Sequence, residues 1–213
     1  FRLYPNTPGL TTWQIVKNIT NTPLHLEYIS SFYLYGLGQE DEIASKDMHL
    51  IYARNGWNSE CQWKKTSFIE AGLFNTNRKV NMNSFTLNNT GSWSTKEYLP
   101  IIGVENQRKH QFIMGQIENN GSWNINLGDY KNRYYLSLSG PTLIDHQFSK
   151  KLEPEERFYS CEASVVISRD FETAVQAMTA LRRHIQKSSF DHLTMPVIFN
   201  DFMHGNWDLS SEA

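Results

Sequence analysis

The chain has little cysteine: 213 residues contain only Cys61 and Cys161, far apart and with no CxxC pair. That count excludes a disulfide-stapled small domain and a thiolate zinc site. It predicts two buried free thiols in a cytoplasmic protein, with a single Cys61–Cys161 disulfide as the alternative. No apolar run approaches the roughly 20 residues of a membrane span, so no membrane partner is expected. Neither sign of charge dominates: 20 Lys and Arg face 22 Asp and Glu, a formal net charge of -2. This gives no electrostatic case for nucleic acid. His49, His110 and His146 are scattered and no HExxH or paired-His spacing occurs, so neither a metal nor a cofactor is expected. No repeat of 20 to 50 residues is evident. No signal peptide is visible, and the start at Phe1 rather than Met reads as a trimmed N-terminus.

Aromatic side chains are abundant, with six Trp, ten Tyr and twelve Phe. Such residues suit the pleated, half-buried surface of a β-sheet, and a minority on an exposed face can stack on sugar rings. Up to about Arg169 the sequence reads as strand after strand. Thr12–Thr20 and Leu24–Leu34 flank a turn at Asn21-Thr22-Pro23 and are expected to be neighbouring antiparallel strands. Met48–Ala53 and Gln62–Phe68 flank Arg54-Asn55-Gly56-Trp57-Asn58, whose Asn-Gly is a hairpin signal. Further strands are expected at 84–87, 99–104, 110–118, 122–127 and 134–139, with Asn119-Asn120-Gly121 as a hairpin turn. Lys151–Phe158 marks a turn into a strand over 159–168. Many strands with frequent turns predict a large β-sandwich.

After that the period changes. Phe171, Val175, Met178, Leu181 and Ile185 form one apolar stripe of a helix. Asp170 is its N-cap, and Arg182-Arg183-His184 lie where the helix dipole favours positive charge. Ser188–Thr194 reads as a linker. Met195-Pro-Val-Ile-Phe-Asn-Asp-Phe202 then reads as one buried parallel strand ending in polar and aromatic residues, with a helix cap near Ser210. The domain expectation is therefore 1–169 sandwich, 170–194 linker helix and loop, and 195–213 the start of a second domain. The chain is expected to be part of a larger protein.

The order of these elements resembles the family-36 glycoside hydrolases, the α-galactosidases also called melibiases. Trp57-Asn-Ser-Glu-Cys-Gln-Trp63 resembles that family's Trp…Glu…Trp strand region. Gly115–Trp123, Leu138-Ser-Gly-Pro141 and Leu152–Phe158 are similar to later strands, and Ala174–Arg183 to a linker helix that commonly ends in Tyr-Arg-Arg, with Leu181 here in place of the Tyr. Met195–Phe202 is similar to the first strand of a (β/α)8 barrel, with Asp201 and Phe202 standing where Asn and Trp are frequent. The resemblance implies a β-supersandwich, a linker helix and the first strand of a truncated barrel. It implies retaining hydrolysis of terminal α-galactosides of the raffinose or melibiose type by two carboxylates on later barrel strands, outside this chain. It also implies an α-galactoside oligosaccharide as partner and a homo-oligomer formed through the sandwich. The isolated chain is expected to be inactive.

The candidate substrate contacts are Asn200, Asp201 and Phe202 at the barrel strand's end. Arg54, Asn55 and Trp57 on the hairpin are the others, as part of an outer subsite. The blander reading of Asn200 and Asp201 is loop orientation, and that of Trp57 is packing on its own sheet. Glu153, Glu155 and Glu156 read as a solvated turn. Asn18, Asn88 and Asn120 head glycosylation sequons. A non-catalytic carbohydrate-binding or interaction sandwich explains the same Trp-rich strands, and a supersandwich phosphorylase is a third reading.

Overall fold

The computed structural model describes residues 1–38, 44–73, 83–131, 133–187 and 189–197. In chain order the elements are β1 (Arg2–Leu3), β2 (Gly9–Thr12), β3 (Ile15–Lys17), β4 (Leu24–Leu26), β5 (Ser30–Leu37), α1 (Ala44–Asp47), β6 (Met48–Gly56) and β7 (Ser59–Ser67). There follow β8 (Ser84–Asn89), β9 (Tyr98–Asn106), β10 (Gln111–Glu118), β11 (Trp123–Tyr130), β12 (Arg133–Ser139), α2 (Leu143–His146), β13 (Lys150–Leu152), β14 (Arg157–Tyr159), β15 (Glu162–Ser168), α3 (Phe171–Ile185) and α4 (Phe190–Thr194). A seven-stranded sheet, β1-β2-β15-β10-β9-β6-β7, packs on a four-stranded sheet, β5-β12-β11-β8. Every pairing in both is antiparallel. The large antiparallel sandwich and the helix after it are the expected fold class.

Strict alternation builds the layer between the sheets. Trp123, Ile125 and Leu127 of β11 and Tyr134, Leu136 and Leu138 of β12 point inward, against Met48, Leu50, Ile102 and Val104 of the larger sheet. Each such apolar side chain, fully buried, contributes about 1.5–3 kcal/mol. The sheets touch closely at Gly115, where a Cβ would stand 2.7 Å from Leu138 Cδ1. The larger sheet is also covered on its other side. Ile51, Phe112, Met114 and Val166 pack there against Ala174, Ala177, Met178 and Leu181 of α3. The stripe on α3 is thus rotated from the expected one. Val175 is 38% exposed, and two alanines lie buried instead, because small side chains bring the helix close to the sheet. Asp170 caps α3 as expected: its carboxylate accepts the Thr173 N–H at 2.8 Å.

Several expected pairings differ. The stretch 12–20 divides at Trp13-Gln14, and 24–34 divides at residues 27–29, so neither is one strand. β3 pairs with β14 and β4 with β13 in two small ribbons, rather than with each other. Asn119-Asn120-Gly121 is no hairpin: β10 and β11 belong to different sheets, and the turn carries the chain across the sandwich. The 159–168 strand is interrupted at Ser160-Cys161, where both side chains bond Ser31. Cys161 is largely buried and burial raises its thiol pKa, whereas Cys61 is exposed, contrary to the expectation of two buried thiols. Both are free. The linker contains the short α4. Pro196 and Val197 pair with no strand among the described residues, and Val197 is fully exposed. The remainder of the expected barrel strand, 198 onward, lies outside the described residues.

Candidate functional site

The hairpin β6–β7 carries the described site candidates. Ala53 faces Trp63, Arg54 faces Gln62 and Gly56 faces Ser59, with an irregularity between Arg54 and Gly56. Asn55 sits in that bulge, so the two-residue turn is Trp57-Asn58, later than the Asn-Gly signal placed it. Asn58 adopts a positive φ of 56°, which Asn tolerates better than most residues. The bulge also explains what Asn55 does. Its N–H donates to the Glu97 carbonyl at 2.8 Å, and Nδ2 donates to the Thr95 carbonyl at 2.7 Å. Its Oδ1 accepts the Cys61 N–H at 3.0 Å. Asn55 therefore ties the hairpin tip to residues 93–97. That segment is held in turn by buried Trp123, whose indole N–H donates to the Ser94 carbonyl.

This bracing places an aromatic and cationic cluster on the surface. Trp57 is 73% exposed and meets the half-exposed Trp93 edge-to-face, with centroids 5.9 Å apart. The Arg54 guanidinium lies 5.3 Å from the centre of the Tyr98 ring. An edge-to-face pair leaves indole faces open, which suits stacking on the C–H face of a sugar, and the guanidinium supplies hydrogen-bond donors. The structure thus sets Trp57 against Trp93 and Arg54 over Tyr98 on one hairpin, with the Asn55 side chain engaged in bracing it; the sequence did not single out Trp93 and Tyr98. Trp93 lies in a stretch of Thr, Gly and Ser that reads as plain loop, and the pairing of β6 with β9 together with the Asn55 bridges brings it to the hairpin. Asn200, Asp201 and Phe202 lie outside the described residues.

The other polar candidates have structural work. Glu153, Glu155 and Glu156 pair with Lys151, Lys17 and Lys150 respectively. Glu156 also accepts the Glu153 N–H, and its carboxyl lies below its ordinary pKa, mainly through the bond from Lys150. His146 bridges the Thr142 N–H and the Asn89 carbonyl. Among the described residues no group of three or more His, Cys, Asp or Glu is placed to hold a metal ion. No described helix is long and apolar enough to cross a membrane.

No protein-family model matches the sequence, and no curated protein matches it significantly. Solved structures do match. A GH36 α-galactosidase from Geobacillus stearothermophilus superimposes with a TM-score of 0.76 over 98% of this chain, at 15% identity, using 27% of its own length. The α-galactosidase from Lactobacillus brevis matches 85% of this chain at 12% identity, with a TM-score of 0.68 over 22% of its own. A second Geobacillus stearothermophilus GH36 α-galactosidase, in complex with stachyose, matches 84% at 14% identity, with a TM-score of 0.68 over 23% of its own. The chain thus spans about a quarter of the length of these enzymes. The likeness establishes its fold as that of the N-terminal β-sandwich domain of GH36 α-galactosidases.

Proposed function

We propose that this chain is the N-terminal part of an α-galactosidase that hydrolyses terminal α-galactosides with retention. The catalytic carboxylates belong to a barrel that follows the linker helix. What supports the reading is the match of nearly the whole chain, sandwich and helix together, to a GH36 α-galactosidase. In this reading residues 1–169 form the sandwich domain, 170–194 the linker helix and loop, and 195–213 the start of the barrel, with Asn200, Asp201 and Phe202 at the barrel mouth. The sandwich contributes to a homo-oligomer. The hairpin tip lines an outer sugar subsite: Trp57 and Trp93 stack on the sugar, Arg54 donates to its hydroxyls, and Asn55 holds the tip in place. The compartment is the cytoplasm.

The experiment is kinetic. In the full-length protein, Trp57→Ala should lower kcat/KM for raffinose and stachyose about tenfold, equivalent to one lost stacking contact of about 1–1.5 kcal/mol. It should leave a nitrophenyl galactoside within about twofold. Equal losses on both substrates would remove the subsite, and a full-length protein that turns over neither would remove the enzyme assignment.

A further inference from the structure

The outer face of the four-stranded sheet differs from an ordinary solvated face. Its outward residues align across the strands in polar and aromatic rows. Tyr33, Ser137, Asn126 and Thr86 form one row, and Tyr35, Tyr135, Gly128 and Ser84 the next. A cleft of about 970 Å³ lies over these rows, walled on one side by Tyr28 and by Leu143 and Ile144 of α2. That volume is at the upper end of the about 300–1,000 Å³ typical of small-molecule sites. None of the hairpin-tip residues lines it.

The floor is braced. The rings of Tyr33 and Tyr135 stack at 5.5 Å and 17°. The Tyr135 ring lies across Gly128, where a Cβ would stand 2.6 Å from the phenol oxygen, so only glycine permits this pose. Tyr135 then donates to Asn126 Oδ1 at 2.7 Å, and Asn126 Nδ2 donates to Thr86 Oγ1 at 2.7 Å. At the far end Asn124 Nδ2 and the Thr142 hydroxyl both donate to one oxygen of Asp145, at 2.8 and 2.9 Å. The other Asp145 oxygen and the Tyr33 hydroxyl have no hydrogen-bond partner among the described residues. Burial, then neighbouring phenols, raise the pKa of both Tyr33 and Tyr135, so both stay neutral donors.

The chemistry of the lining selects a ligand class. Its charged side chains, Glu27, Asp129 and Asp145, are all carboxylates, with no Lys or Arg among them. A phosphate, sulfate or other anion is therefore disfavoured. Alternating phenols, amides and carboxylates beside flat ring faces match a molecule with many hydroxyls and apolar C–H faces. We propose that this cleft binds a neutral oligosaccharide, its rings on Tyr33 and Tyr135 and its hydroxyls on Asn124, Asn126 and Asp145. The site is independent of the α-galactosidase reading and stands whether or not that reading holds.

The test is calorimetric and NMR titration of the chain with raffinose, maltotriose and cellotriose, alongside sedimentation. At least one trisaccharide should saturate with a dissociation constant of about 1 mM or tighter. Tyr33→Ala removes a half-exposed platform, and Thr86→Trp fills the cleft from an exposed strand position. Each should weaken binding tenfold or more with unchanged circular dichroism, while Val175→Ala on the exposed side of α3, outside the cleft, stays within twofold. The proposal is overturned if none of the three sugars binds, or if binding survives both cleft variants. Loss with Trp57→Ala alone would place the sugar on the hairpin instead. A dimer that Tyr33→Ala converts to monomer would show that a second copy covers this face.

Discussion

Asn18 offers the sharpest test of how the sandwich is held at its edge. It is 1% exposed, and its Nδ2 donates to the carbonyls of Thr22 at 2.8 Å and Leu152 at 3.0 Å. Its Oδ1 accepts both the N–H and the hydroxyl of Thr20. Its main chain exchanges hydrogen bonds with Glu155 and Glu156. One amide side chain thus joins the end of β3, the turn at 20–22 and the end of β13. In Asn18→Ala the Thr20 and Thr22 groups turn to water, a net loss of about 0.5–1.5 kcal/mol each, but the Leu152 carbonyl is buried and left unsatisfied at about 1–3 kcal/mol. The expected loss is about 2–6 kcal/mol, or roughly 4–24 °C in Tm for a chain of this size. Asn18→Asp is worse at neutral pH, because a carboxylate then faces two carbonyl oxygens. Protonation restores one donor, so the folded pKa of this Asp lies above its unfolded value. Its deficit is smallest below the unfolded pKa and grows as pH rises through the folded one. Urea unfolding followed by Trp fluorescence at pH 4 and pH 7 measures both. A loss under about 0.5 kcal/mol for Asn18→Ala, or an Asp variant no worse relative to wild type at pH 7 than at pH 4, would refute the reasoning. The same geometry bears on the sequon at Asn18, since an amide already holding two carbonyls inside the fold has no room for a glycan.

Leu181→Ala should cost about 2–5 kcal/mol in urea unfolding, because Leu181 is fully buried between α3 and the sheet, while Val175→Ala should cost less than about 1 kcal/mol. Equal costs would mean the helix docks on another face. The Thr173 hydroxyl, then its N–H, hold the Asp170 carboxyl below its ordinary pKa. Its cap therefore stabilises α3 throughout the range above the unfolded value and is lost as pH falls through the depressed one. Carboxyl-carbon NMR titration should give a midpoint below about 3.9, and one at or above that value would contradict the cap. The purified 213-residue chain should show no hydrolysis of a nitrophenyl α-galactoside, and measurable turnover would place catalysis within it.

Strand positions and the helix were legible wherever a period was clean, as in Trp123-Asn-Ile-Asn-Leu127 or Asp170–Ile185. Pairing was not. Asn119-Asn120-Gly121 looks locally like a hairpin turn, yet both sheets present apolar inner faces, so no pattern tells β11 which one to join. The hairpin tip was readable at Arg54, Asn55 and Trp57 because Asn-Gly marks a turn. Its exact turn was displaced because Asn55 is recruited by Thr95 and Glu97, some 40 residues on. The cleft left no signal at all. Tyr33, Tyr135 and Asn126 read along the chain as the outward half of ordinary alternation, and only the register across four strands brings them to one floor.

The pairing of β2 with β15, Thr12 beside Ala163, carries a consequence for synthesis. The N-terminal strands find their partners near the end of the sandwich: β3 and β4 wait for β14 and β13, and β5 for β12. At about 5–20 residues per second, β2 emerges from the ribosome roughly 8–30 s before its neighbour β15 exists. During that interval β2 has only the two-residue β1 beside it, and the hydrogen-bonding groups of its other edge have no strand to join. The first forty residues are thus the segment most dependent on holding chaperones, and slowing translation over residues 20–160 should raise the aggregated fraction more than slowing it after residue 170.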